Sequence, residues 1–100
     1  IQPYTKIGNN CILWSGNHIG HHSTIEDHVF ISSHACISGL CNIKNYSWIG
    51  VNSTFRDGIT VNEGTVVAMG ACVTKDTEGN SIYMGSPAKK FKDCDETIIL

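Results

Sequence analysis

Every sixth residue from Ile7 onward is bulky and apolar, without exception: Ile7, Leu13, Ile19, Ile25, Ile31, Ile37, Ile43, Ile49, Phe55, Val61, Val67 and Val73. Four places after each of these the residue is usually small, as at Cys11, Asn17, Ser23, Ala35, Cys41, Ser47, Ser53, Thr65 and Ala71. A period of six fits neither the three-and-four spacing of a helix face nor hairpin strands, whose alternation is interrupted by turn signals. It fits a parallel β-helix with one hexad on each of three flat sides. Three hexads then complete a coil of 18 residues, and residue i stacks on residue i+18. Residues 7 to 78 hold 12 hexads, or four coils, with Ile1 and Thr5 in phase as part of an earlier side. Branched side chains would fill the prism, and the small residue would share their side of the strand.

The pattern breaks at Gly79-Asn80. Residues 1–78 therefore read as the β-helix, and residues 79–100 as a C-terminal segment in which Ser81 to Met84 form a last strand before the turn Gly85-Ser86-Pro87. Ala88 to Leu100 is expected to cap the open end as a strand or short helix. Outward positions carry an apolar stripe, Phe30, Trp48 and Val66, and beside it a second column, His18, Cys36, Thr54 and Cys72. A contiguous exposed strip on a chain of 100 residues points to self-association, with three prisms side by side as the expectation.

Charge narrows the partners. The net charge is −2, so there is no basic field for nucleic acid and no polybasic membrane patch, and no apolar run is long enough to span a bilayer. The chain begins in mid-pattern at Ile1, which reads as a fragment, an excised domain or a trimmed chain. Five cysteines without a CxxC pair read as reduced thiols in a cytoplasmic protein. Sequons at Asn45 and Asn52 read as chance matches.

All five histidines fall in the span from His18 to His34, the densest run being Asn17-His18-Ile19-Gly20-His21-His22. Eighteen-residue stacking sets His21 under Gly39, about 4.8 Å away. A glycine there allows close approach to the backbone, and its N–H could be offered to a developing oxyanion. A general base beside such a donor is the minimum equipment for acyl transfer. Five histidines also leave open a zinc enzyme, and a β-helix kept only as a trimerising scaffold is a third reading.

The run Asn17 to His22 followed by Gly39, with the ending Met84-Gly85-Ser86-Pro87-Ala88-Lys89, resembles the hexapeptide-repeat acyltransferases, closest to the sialic acid O-acyltransferase and sugar acetyltransferase group. The resemblance covers residues 1 to about 90 and implies a left-handed β-helix, a homotrimer, acetyl-coenzyme A as co-substrate and no metal. It implies as acceptor a sugar hydroxyl or amine of the kind used in surface-polysaccharide synthesis. By the same resemblance His21 is the general base and Gly39 the oxyanion donor. Relatives carry an acid directly after the histidine; here that place is His22, which enters as a further catalytic candidate. Asp57 shares the His21 column but is two coils away, too far to orient the ring. The resemblance runs the cofactor along the column Ser33, Val51 and Met69, with Gly50 and Gly70 allowing close passage. Its phosphates would fall near Lys75, Lys89 and Lys90. The zinc rival, of the γ-carbonic anhydrase kind, expects a histidine followed much later by a close pair, a spacing absent here.

Overall fold

The computed structural model describes residues 1–94. The first coil contributes β1 (Lys6–Ile7), β2 (Ile12–Leu13) and β3 (His18–Ile19), and the second β4 (Thr24–Ile25), β5 (Phe30–Ile31) and β6 (Cys36–Ile37). The third holds β7 (Asn42–Ile43), β8 (Trp48–Ile49) and β9 (Thr54–Phe55), and the fourth β10 (Thr60–Val61), β11 (Val66–Val67) and β12 (Cys72–Val73). Two longer strands follow, β13 (Ser81–Gly85) and β14 (Ala88–Asp93). They stack into three sheets, β1-β4-β7-β10, β14-β13-β11-β8-β5-β2 and β12-β9-β6-β3. All coil-to-coil pairings are parallel and in the 18-residue register, as Ile7 against Ile25 and Ile19 against Ile37. The architecture is an all-β left-handed parallel β-helix.

The buried positions follow the hexad rule. Ile19, Ile25, Ile31, Ile37, Ile43, Ile49, Phe55, Val61, Val67 and Val73 are buried, and so are the residues four places on, among them Ser23, Val29, Ala35, Cys41, Ser47, Ser53, Ile59, Thr65 and Ala71. The small polar ones avoid a desolvation penalty by closing local bonds. Ser53 Oγ donates to the Gly50 carbonyl at 2.7 Å and Thr65 Oγ1 to that of Asn62 at 2.6 Å. In the first coil Ile7 stays 39% exposed because no coil stacks beneath it.

Each corner is turned by one residue in the left-handed region. Tyr4, Asn10, Gly16, His22, His28, His34, Leu40, Tyr46, Asn52, Gly58, Gly64 and Gly70 all have φ between 54° and 74°, three places after each inward apolar residue where a hexad precedes. Glycine, asparagine and histidine are enriched in that conformation, which explains most of the column. It also accounts for three of the clustered histidines, His22, His28 and His34, as corner residues first.

The end of the prism is closed by a hairpin. β13 extends the β11 sheet in parallel and β14 folds back antiparallel on β13, so the expected last strand and a strand-type cap are both present through Asp93. The remainder of the expected cap, residues 95–100, lies outside the described residues. The outward stripe is corrected at one position. Val66, in register between Trp48 and Ile82, is buried, so the outward apolar strip runs instead through the exposed Ile12 and Trp14 and the half-buried Phe30 and Trp48. Trp14 stands edge-on to Phe30, which stacks on Trp48 at 5.4 Å.

Candidate active site

The sheet pairing His18 with Cys36 ends at the corner formed by Gly20 to Ser23, and the next coil repeats it with Ser38 to Cys41. His21 is held there through its backbone, its N–H donating to Gln2 Oε1 at 2.9 Å and its carbonyl accepting from Leu40 N–H at 2.9 Å. The imidazole lies across Gly39: a β-carbon on residue 39 would stand 2.6 Å from His21 Nε2 and 2.8 Å from Cε1. Gly39 has an ordinary φ, so glycine is required here for space, to seat the ring. His21 is exposed, and its Nε2 has no hydrogen-bond partner among the described residues.

The Gly39 amide is not free. It donates to Asp57 Oδ1 at 3.1 Å, which corrects the expectation of an unoccupied oxyanion donor. The cause is a bond pattern that recurs along the corners, in which a side chain of one coil caps the amide one coil earlier. Asp27 accepts from Asn9 N–H at 2.7 Å, and Asn45 Oδ1 from Asp27 N–H at 2.8 Å. Asp57 does the same for Gly39, one coil away, and makes no bond to His21.

His22 supplies the group facing His21. The two Nδ1 atoms are 3.1 Å apart, with the rings nearly perpendicular at 86°. On its other side the His22 ring stacks on Tyr4, centroids 5.0 Å apart and planes 19° from parallel. Tyr4 was not singled out from the sequence; its only signal was its place 18 residues before His22, the stacking interval.

The residues expected to meet the cofactor, Lys75 excepted, fall on a different edge from His21. Val51, half-buried, and Met69, 76% exposed, belong to the corner between the sheets of β8 and β9, together with the exposed Gly70. Gly70 faces open space. Gly50 does not: it is buried, and a β-carbon there would meet the Met69 amide at 2.6 Å, so its smallness serves coil stacking. Lys75 is exposed on the edge that carries His21, just after β12, and Lys89 is exposed on β14 in register with Met84. Lys90 is committed to the cap by ion pairs to Asp93 at 2.7 Å and Glu78 at 3.4 Å. The Asp93 hydrogen bond foremost raises the Lys90 pKa, and Lys90 in turn lowers that of Asp93. Within one chain the His21 edge and the Met69 edge are therefore separated by the face bearing His18, Cys36, Thr54 and Cys72.

The histidines do not converge. His21 and His22, His28, and His34 occupy three different corners, and among the described residues no group of three His, Cys, Asp or Glu is placed to hold a metal. Cys41 is in the core with its Sγ–H donating to the Arg56 carbonyl at 3.3 Å, and burial raises its pKa.

A family model described as bacterial transferase hexapeptide (six repeats) matches residues 4–39, a span that runs from Tyr4 through the His21–Gly39 pair. A Schizosaccharomyces pombe protein named as an acetyltransferase is 43% identical over 51 residues, which is 51% of this chain and 25% of that protein. The acetyltransferase domain of PglB from Neisseria gonorrhoeae superposes with a TM-score of 0.81 at 24% identity, over 88% of this chain and 46% of that one. Serine acetyltransferase from Brucella abortus, solved in complex with coenzyme A, superposes with a TM-score of 0.82 at 18% identity, over 92% and 41%. The chain thus spans a quarter of the length of the first of these and under half of the other two. At such identities the structural likeness carries the fold, and the sequence match is to the hexapeptide repeat of bacterial transferases around the corner that holds His21.

Proposed function

We propose that this chain is the β-helical part of an acetyltransferase that moves an acetyl group from acetyl-coenzyme A to a hydroxyl or amine, with a sugar as the acceptor class, and that His21 is the general base. One observation carries the reading: an exposed imidazole seated on a glycine with Nε2 unpartnered, inside the matched transferase repeat. The likeness to named acetyltransferases supports the donor, and a coenzyme A complex of a protein with this fold supports the cofactor.

The chemistry asked of the chain is small. His21 Nε2 takes the proton of the acceptor O–H or N–H as that atom bonds to the thioester carbonyl carbon, and returns it to the departing thiolate as the C–S bond breaks. Acetyl-coenzyme A supplies only the activated acyl group. The Gly39 amide can stabilise the oxyanion once the Asp57 carboxylate has swung off it; otherwise the donor must come from elsewhere. The cofactor runs past Val51, Met69 and Gly70 of one prism toward Lys89, with Lys75 on the His21 edge of the neighbour. Since that edge and the His21 edge are apart in one chain, the two halves meet only between neighbouring prisms. A homotrimer built on the outward strip of Ile12, Trp14, Phe30 and Trp48 supplies that groove.

Replacement His21→Ala should lower acetyl transfer by about 10² to 10⁴-fold while coenzyme A affinity and melting temperature hold. Thiol release from acetyl-coenzyme A can serve as the assay until the acceptor is identified; full activity in the variant would remove His21 as the base. For the assembly, light scattering at micromolar concentration should give a trimeric mass. Trp48→Arg should shift it toward a folded monomer, and a wild-type monomer would refute the groove.

A further inference from the structure

The contact between His21 and His22 can hold a hydrogen in only two ways. Either His21 Nδ1–H donates to His22 Nδ1, or the reverse, and each fixes the opposite end of the His21 ring. In the first case Nε2 carries a lone pair above Gly39. In the second Nε2 carries the hydrogen and cannot accept a proton. We propose that His22 is the positioning residue of the base: set face-on to Tyr4, it accepts the His21 Nδ1 hydrogen and thereby keeps the Nε2 lone pair turned to the substrate.

Three features of the corner support this. His22 turns the corner with φ of +57°, and its Nδ1 lies 3.1 Å from His21 Nδ1. Stacking on Tyr4 at 5.0 Å leaves the His22 ring little freedom to turn away. No carboxylate or carbonyl is bonded to His21 Nδ1 among the described residues, so His22 Nδ1 is its sole partner there. As Nε2 gains the acceptor's proton, the positive charge spreading to Nδ1–H strengthens the bond to His22 Nδ1, so His22 contributes more in the transition state than in the ground state. The inference rests on the acetyl-transfer reading for its meaning, though the tautomer itself can be measured without any turnover.

The corner allows two matched substitutions. Leu40 and Asn52 both adopt the same left-handed backbone elsewhere in the columns, so neither His22→Leu nor His22→Asn is barred by it. Asparagine puts Oδ1 three bonds from Cα, as His22 Nδ1 is, and retains an acceptor; leucine puts a methyl there. Nitrogen NMR of the histidine rings in the full chain should find His21 as the Nδ1–H tautomer in the wild type and in His22→Asn, and mixed or Nε2–H in His22→Leu. In thiol release from acetyl-coenzyme A, His22→Leu should lower kcat by about 10 to 10²-fold with KM for acetyl-coenzyme A within about 2-fold. His22→Asn should keep kcat within about 5-fold of the wild type. An Nε2–H tautomer at His21 in the wild type overturns the proposal. So does an unchanged kcat in His22→Leu, or an equal loss in the two variants. Full activity in His21→Ala would instead end the reading of His21 as base, while the tautomer data would still decide what His22 does to the ring.

Discussion

Two corners of the prism carry the same histidine built in the same way, and only one of them sets a second imidazole over a glycine. His22 stacks on Tyr4 at 5.0 Å and 19°, and His28 stacks on Tyr46 at 4.9 Å and 14°; both have φ near +58°. At His28 the ring Nδ1 faces the Asn10 side-chain amide at 2.9 Å, and the neighbouring column is a closed ladder in which Asp27 caps Asn9 and Asn45 caps Asp27. There the Asp27 carboxylate and the Asn45 side-chain oxygen hold one coil to the next. At His22 the preceding residue is His21 where the other corner has Asp27, and the residue above is Gly39 where the other has Asn45. The side-chain ladder is interrupted there, the imidazole lies over a bare Cα, and its Nδ1 faces another imidazole. The difference teaches that a left-handed corner histidine is a cheap structural element in this fold, and that function is introduced by the residue before it and the one stacked above.

The sharpest way to break the comparison is to fill the bare position. In Gly39→Ala the new methyl would stand 2.6 Å from His21 Nε2 and push the ring off its seat. We expect a loss of activity of about 10²-fold, comparable to the lower end for removing the base. The control is Gly58→Ala, where the space is open and φ is +74°: it should cost about 1 kcal/mol in stability and leave the rate alone. Equal activities in the two alanine variants would show that the seat over residue 39 has no part in the chemistry.

A smaller effect is expected from removing the cap on the Gly39 amide. Asp57→Ala loses one hydrogen bond and should lower stability by about 1 kcal/mol in denaturant titration. If the amide then becomes available to the oxyanion, activity should hold or rise by about 2- to 5-fold; a fall of 10-fold or more would mean that the carboxylate itself is needed. Smallest of all, Leu40→Asn should raise stability by about 0.5–1 kcal/mol with unchanged activity. Leucine at φ +61° is strained where asparagine is not. No gain in melting temperature would show that packing of Leu40 offsets the strain.

Most of the fold was legible in the sequence because the hexad is a translation. Once six residues are known to make one side, burial of Ile19 or Ser53 and the register of Cys36 on His18 follow by counting. The left-handed corner column was legible too, in the glycines and asparagines at Asn10, Gly16, Asn52, Gly58, Gly64 and Gly70, but the histidines and tyrosines interleaved among them hid it. Val66 was misjudged because its cover comes from a chain segment that leaves the repeat: β13 brings Ile82 beside it, and no hexad pattern encodes where that segment lands.

The sequence by itself determined the coil number, the inward column, and the stacking of His21 beneath Gly39, since each depends only on spacing along a regular path. The tertiary structure alone decided that the Asp57 carboxylate occupies the Gly39 amide, that His21 and His22 meet Nδ1 to Nδ1, and that the His21 and Met69 edges are kept apart. These turn on side-chain directions and on which polar group of one coil reaches which amide of the next, and a hydrogen bond depends on tenths of an ångström that a six-residue period does not specify.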